Sequence, residues 1–218
     1  MPVRELMSKK LITVTVDDSV MKASKLMKEH GIQHLPVLKQ GALAGIVSDR
    51  DLKEASPSKA TALDIHELYY LLDQITVGKV MPTRLFTVSP VDTVEKAAAI
   101  MLKHNISALP VVNPEGGLEG IITKGDIFRA FVSISGIYQG EWAMGFELAD
   151  DPGSIKEVTD VIRAHGGRIA SILTGYEWAP AGFRHVYIRA RDLADAMALQ
   201  QELGRKVKII YFLHEKVD

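Results

Sequence analysis

The feature that most constrains this chain of 218 residues is an internal repeat. Residues 1–55 and 75–131 align with each other, so that Leu-Pro-Val at 35–37 returns at 109–111. The segment Gly-Ile-Val-Ser-Asp-Arg-Asp at 45–51 returns as Gly-Ile-Ile-Thr-Lys-Gly-Asp at 120–126. A repeat of this length is one supersecondary unit used twice. We therefore expect two structurally equivalent sites in the fold.

The repeated ending predicts a buried strand that passes directly into a helix. Ser48 or Thr123 is expected to cap that helix, and Asp51 or Asp126 follows where a carboxylate closes a capping box. A hydroxyl, a carboxylate and a helix N-terminus also suit a ribose that carries a phosphate, since ribose hydroxyls donate to carboxylates and helix N-termini attract anions. The alternative is a capping box without a ligand.

The remainder of each repeat predicts a strand, a helix, and then a hairpin that leads to the repeated ending. Asp18 is expected to start the first helix. Gly31 and Asn105 are expected to end the two equivalent helices, because both residue types accept the left-handed conformation. Pro36 and Pro110 fall at strand starts, where a missing N–H is tolerated.

Composition argues against several functional classes. The formal net charge is -1, so we expect no nucleic-acid partner and no charged membrane surface as a partner. The chain has no cysteine, and it contains no signal core or apolar run of about 18 residues, which predicts a cytoplasmic protein. Catalytic motifs and clusters of metal ligands are missing, so no catalytic residue, metal or true cofactor is predicted.

Residues 57–75 predict a linker helix capped by Asp64, with an apolar stripe that includes Leu68 and Leu72. This apolar stripe is expected to pack against another surface, either the other repeat or a second subunit. We favour the subunit, and therefore a homodimer.

Residues 141–218 do not repeat the earlier pattern. Alternating apolar residues at 143–149, 169–173, 185–190 and 207–213 predict strands, and helices are expected at 154–165 and from Asp192 onward. The order βαββαβ is that of a ferredoxin-like domain, so the predicted fold class is α+β.

The two repeats resemble a tandem pair of CBS domains, at residues 1–56 and 76–134, each a short sheet with helices and related by a pseudo-twofold axis. This resemblance implies two clefts that bind AMP, ADP, ATP or S-adenosylmethionine as a regulatory ligand. It also implies that Asp51 and Asp126 hold the ribose and that Ser48 and Thr123 lie near phosphates. The base is expected beside the first strand and the segment before the hairpin proline, near Thr13, Pro36, Thr87 and Pro110.

The two predicted clefts differ in charge. Arg50 offers a forked donor set beside Asp51, whereas the second copy has Gly125 there and Lys124 one place earlier. His34 precedes the Leu-Pro-Val strand, and Ala108 replaces it in the second copy. The cleft of Asp51 is therefore predicted to bind more strongly, unless Arg50 is only a solvated helix residue and His34 a structural one.

The C-terminal part resembles an ACT domain, because its element order is combined with Asp-x-Pro-Gly at the first turn. This resemblance implies an amino-acid site at Asp151, Gly153 and Ser154, although Pro152 and Gly153 alternatively only shape a helix start. The combination resembles acetoin-utilisation proteins of the AcuB type. We therefore expect a regulatory sensor with an unidentified protein target; the alternatives are a structural protein with empty clefts or an enzyme without a recognisable motif.

Overall fold

The computed structural model describes residues 1–55 and 73–217. The chain divides into two compact units, residues 1–128 and 129–218. Both units combine strands with helices, which confirms the predicted α+β class. The body of the predicted linker helix, including its cap Asp64 and the residues Leu68 and Leu72, lies outside the described residues.

The first repeat forms a three-stranded sheet with two helices. Its elements are β1 (Val14–Thr15), α1 (Val20–His30), β2 (His34–Lys39), β3 (Ala42–Ser48) and α2 (Asp49–Glu54). Strand β2 lies between the other two, parallel to β1 and antiparallel to β3. The sheet and α1 enclose a core whose most buried members are Val20, Ala23, Leu35, Val37 and Val47.

The second repeat has α3 (Val77–Val80), α4 (Val94–His104), β4 (Ala108–Val112), β5 (Leu118–Thr123) and α5 (Lys124–Ile134). Strands β4 and β5 form an antiparallel hairpin. The expected first strand is reduced to a single parallel bridge between Val88 and Val111. Both first strands are thus short, and Thr13 and Thr87 lie just before them.

The residue types at the ends of α1 and α4 explain where these helices stop. Gly31 (φ 63°) and Asn105 (φ 51°) end α1 and α4 in the left-handed conformation, which confirms both predictions. The predicted start of α1 at Asp18 is wrong. Ser19 is the cap and accepts the Lys22 N–H, while the Asp18 carboxylate accepts the backbone N–H of Thr15 at 2.7 Å instead.

The first residues of each repeat form hydrogen bonds with the other repeat. The Val3 N–H donates to the Asp92 carbonyl at 2.8 Å, and the Val77 N–H donates to the Asp18 carbonyl at 2.8 Å. A Cβ on Gly45 would lie 2.7 Å from Met81 Sδ, and one on Gly120 would lie 2.6 Å from Met7 Sδ. The first residues of the two repeats are therefore exchanged, which holds the repeats together.

The C-terminal unit is a four-stranded antiparallel sheet with two helices. Its elements are β6 (Trp142–Ala149), α6 (Ser154–Ala164), β7 (Arg168–Gly175), β8 (Phe183–Arg191), α7 (Ala196–Lys206) and β9 (Lys208–His214). The strand order is β7-β8-β6-β9, and the chain order is the βαββαβ of a split βαβ fold. Phe146, Ile162, Ile188, Leu199 and Leu203 are among the buried core residues.

The last helix does not begin where the sequence suggests. Asp192 has φ 62° and lies outside the helix, whereas Asp195 caps α7 by accepting the Ala198 N–H at 2.9 Å. The prediction that Asp192 opens this helix is therefore wrong. Two aspartates three residues apart are both acceptable caps by residue type, so the choice between them depends on the path of the chain after β8.

Candidate functional site

The two repeated endings form the same capping box. In the first, the Ser48 backbone N–H and hydroxyl both donate to Asp51 Oδ2, at 2.7 and 2.6 Å. In the second, Thr123 donates to Asp126 Oδ2 at the same two distances. Among the described residues, no group donates a hydrogen bond to the other carboxylate oxygen of Asp51, Oδ1. The capping role of Asp51 therefore leaves one carboxylate oxygen for a ligand.

The surroundings of Asp51 form a cavity of about 450 Å³, called here the Asp51 cavity. Both repeats build it. The first repeat contributes Gln33, His34, Ile46, Ser48, Asp49, Arg50, Asp51 and Glu54, and the second contributes Pro82, Arg84, Phe86, Asn105, Ile106, Ser107 and Ala108. Four residues predicted from the sequence are thus brought together, namely His34, Ser48, Arg50 and Asp51.

The other predicted CBS-type residues lie elsewhere. Within the described part of the chain, the lining of the Asp51 cavity does not include Thr13, Pro36, Thr87, Pro110, Thr123, Lys124 or Asp126. Pro36 and Pro110 are buried inside β2 and β4, and Thr87 lines a separate cavity of about 420 Å³ with Ser89 and Asp92. The residues predicted for the cleft of Asp126 therefore lie outside the Asp51 cavity.

His34 joins the two repeats across the cavity wall. Its Nε2 lies 2.8 Å from the Ser107 hydroxyl. Burial lowers the pKa of His34, although the carboxylates of Asp49 and Asp51 act in the opposite direction. The lowered pKa disfavours the charged imidazolium, and the contact with Ser107 supports the structural alternative over a role as a cation.

The charges on α2 are largely paired within the helix. Arg50 Nε donates to Glu54 at 2.9 Å, and this hydrogen bond is the main reason that the pKa of Arg50 is raised. Lys53 donates to Asp49 at 2.8 Å, which lowers the pKa of that carboxyl. Arg50 is thus engaged by a carboxylate on its own helix, one turn away.

The second repeat contributes a stack of three side chains, of which Arg84 is the one that the sequence analysis missed. The Arg84 guanidinium carbon lies 4.7 Å from the centre of the Phe86 ring, and Phe86 stacks on His104 at 3.9 Å. Desolvation, followed by the charges of Arg84 and Lys103, lowers the pKa of His104. The signal in the sequence was a basic residue and an aromatic residue just before the first strand of the second repeat.

The turn predicted as an amino-acid site in the C-terminal unit has a clear local structure. Gly153 precedes α6 with φ 97°, a conformation that favours glycine, and a Cβ there would meet nothing within 4 Å. The Ser154 hydroxyl accepts a hydrogen bond from Arg184 at 3.0 Å, and Arg184 also lies 3.5 Å from Asp150. Sequence reasoning missed Arg184, which reaches this turn from β8.

Among residues 1–55 and 73–217 no three His, Cys, Asp or Glu side chains are grouped so that they could hold a metal ion. In the same part of the chain no helix combines the length and apolar character needed to cross a bilayer. Acidic residues on helices are instead often paired with lysines one turn away, as Asp49 is with Lys53 and Asp160 with Lys156.

A family model described as the CBS domain matches residues 3–58 and 77–133, which is more than half of the chain. The chain belongs to the CBS domain family. The predicted tandem CBS pair is thereby confirmed, and each matched range includes one of the two capping boxes.

Several known proteins are similar to this CBS pair. The CBS domain-containing protein YhcV of Bacillus subtilis is 33% identical over 57% of this chain and 81% of its own length. The inosine-5'-monophosphate dehydrogenase of Korarchaeum cryptofilum is 39% identical over 54% of this chain but only 22% of its own length. The solved CBS domain pair of protein MJ0100, in complex with 5'-methylthioadenosine and S-adenosyl-L-methionine, has a TM-score of 0.51 and 30% identity, over 61% of this chain and 96% of that one.

Proposed function

We propose that this protein is a regulatory sensor that binds an adenine nucleotide in the Asp51 cavity. The observation that carries the proposal is that both repeats build one cavity in which Asp51 keeps a carboxylate oxygen unused by its own cap. A carboxylate accepts hydrogen bonds from the two ribose hydroxyls, and Phe86 and Ile106 offer apolar contact for a base. The adenosine compounds in the MJ0100 CBS pair support an adenosine ligand.

Regulation follows from the position of the cavity. A ligand that contacts Asp51 from one repeat and Phe86 from the other stabilises the arrangement of repeats that it fits best. A protein target that distinguishes the two arrangements then senses the nucleotide. The match to inosine-5'-monophosphate dehydrogenase over only 22% of that enzyme supports a binding module in preference to a catalytic domain.

The C-terminal unit is proposed to be an ACT-type domain that takes part in the same regulation. Its βαββαβ order and the left-handed Gly153 support this assignment, and Asp151, Gly153 and Ser154 remain the proposed amino-acid site. Among the described residues, the edge strands β7 and β9 are each paired on one side, which supports a homodimer in which these edges pair. A connection with acetoin utilisation stays a prediction.

The proposal is tested by calorimetric titration of the full chain with AMP, ADP, ATP and S-adenosylmethionine. At least one of them is expected to bind, and Asp51→Asn should weaken that binding about ten- to a hundredfold because one charged acceptor is lost. Asp126→Asn is the matched control, since it changes the same kind of capping box away from the cavity.

Two results would contradict this function. If none of the four compounds binds, the structural alternative with empty clefts is favoured. Conversion of a bound nucleotide into a product during incubation, followed by chromatography, would favour the enzyme alternative.

A further inference from the structure

The ionisable side chains that line the Asp51 cavity are mostly neutralised by each other or by a neighbour. Arg50 pairs with Glu54, and Asp49 pairs with Lys53. Among the lining residues that the structure describes, two charged groups remain: Asp51 from the first repeat and Arg84 from the second. The cavity thus offers a ligand one carboxylate and one cation, which come from different repeats.

Within residues 1–55 and 73–217, the donors of Arg84 are not used in a hydrogen bond or an ion pair. Its guanidinium lies over the face of Phe86, and Phe86 is in turn supported by the stacked ring of His104. In the part of the chain that the structure describes, no carboxylate forms an ion pair with Arg84. A cation attracted by an aromatic face keeps its N–H groups free for another partner.

We propose that Arg84 binds the phosphate of the nucleotide, and that it makes the Asp51 cavity selective for phosphorylated adenosines over uncharged ones. This inference rests on the proposed function, and it assigns the phosphate to a residue that the capping box does not contain. A guanidinium donates two parallel hydrogen bonds to a phosphate, and Nε of Arg50 already donates to Glu54. A ligand whose ribose meets Asp51 and whose phosphate meets Arg84 also joins the two repeats.

The experiment compares AMP with adenosine, which differ only in the phosphate. Both are titrated calorimetrically into the full chain, as wild type and as Arg84→Gln. The wild type should bind AMP at least about tenfold more tightly than adenosine, and Arg84→Gln should remove most of this difference by weakening AMP alone. Its AMP affinity should also depend less on ionic strength than that of the wild type, because an exposed charge pair is screened by salt.

Two further variants separate the guanidinium from general charge. Lys103→Gln is the matched control, because it removes an exposed positive charge from the same repeat outside the cavity lining, and it should keep the preference for AMP. Arg84→Lys keeps the charge but loses the fork, and should show an intermediate affinity for AMP. Since Arg84 is exposed, these variants should keep the wild-type denaturation midpoint, which a thermal melt checks.

The inference is overturned if AMP and adenosine bind the wild type equally well, or if Arg50→Gln abolishes the preference and Arg84→Gln does not. In either case the proposed function stands as long as Asp51→Asn weakens both ligands. If neither ligand nor any other adenine nucleotide binds the wild type, both proposals are wrong.

Discussion

The capping boxes of Ser48 and Thr123 agree in every hydrogen-bond distance, and yet their surroundings differ. Asp51 is partly exposed and lines a cavity with Arg84 and Phe86. Asp126 is only 6% exposed. The repeated motif therefore specifies a helix start, and residues from the other repeat decide whether that helix start faces space for a ligand.

The exchanged N-terminal segments differ between the repeats in a similar way. The three atoms nearest to a Cβ on Gly45 all belong to the flexible side chain of Met81, whereas a Cβ on Gly120 would also come within 3.0 Å of the Ser8 backbone carbonyl. The same glycine thus has a more rigid neighbour in the second repeat.

The largest effect is expected from Gly120→Ala. It should cost about 3 kcal/mol of unfolding free energy, because the backbone of Ser8 has to move, while Gly45→Ala should cost about 1 kcal/mol because Met81 can change rotamer. Urea denaturation of both variants measures the difference. Equal costs would show that the two exchanged segments are equally adaptable.

The second effect is a difference in stability between the two capping-box variants, which arises because Asp126 is more buried than Asp51. Asp51→Asn should cost about 1 kcal/mol of stability, whereas Asp126→Asn should cost about 2 kcal/mol because its new amide N–H groups are buried with the carboxylate site. Nucleotide affinity should follow the opposite order and fall only in Asp51→Asn. Denaturation and titration of the same two samples test both statements, and parallel losses would contradict them.

The third effect concerns pH and the residue His34, which Ala108 replaces in the second copy. Burial lowers the pKa of His34 in the folded state, so the unfolded chain takes up the proton first as the pH falls. Stability from this residue is complete above about pH 6.5 and is lost as the pH falls from there to the lower pKa of the folded state. Thermal melts should show a fall in the midpoint over this range.

His34→Gln should flatten part of this dependence. The lowered pKa of His104 acts in the same direction, so a residual slope is expected in the His34 variant. A slope unchanged by His34→Gln would place the proton-linked group elsewhere.

The smallest effect is expected from Glu54→Gln, which releases Arg50 from its exposed ion pair. The denaturation midpoint should not change, since exposed pairs contribute little. AMP affinity should rise by about two- to threefold, because a negative charge leaves the cavity lining and Arg50 gains freedom to reach the phosphate. A decrease in affinity would instead indicate that Glu54 itself holds the ligand.

Local features of the sequence by themselves determined much of this protein. The helix ends at Gly31 and Asn105, the capping boxes at Ser48 and Thr123 and the order of elements in the C-terminal unit all follow from residues within a few positions of each other. Such features are predictable because their hydrogen bonds close within one turn of helix.

Only the tertiary structure decided which residues share a cavity. Arg84 and Phe86 join Asp51 across more than thirty positions of sequence, His34 reaches Ser107 from the other repeat, and Arg184 reaches Ser154 from another strand. The start of α7 at Ala196 likewise depends on how the chain leaves β8. Contacts of this kind depend on how whole elements pack, and an internal comparison of two repeats cannot reveal them, because a residue's partner in such a site is not its counterpart in the repeat.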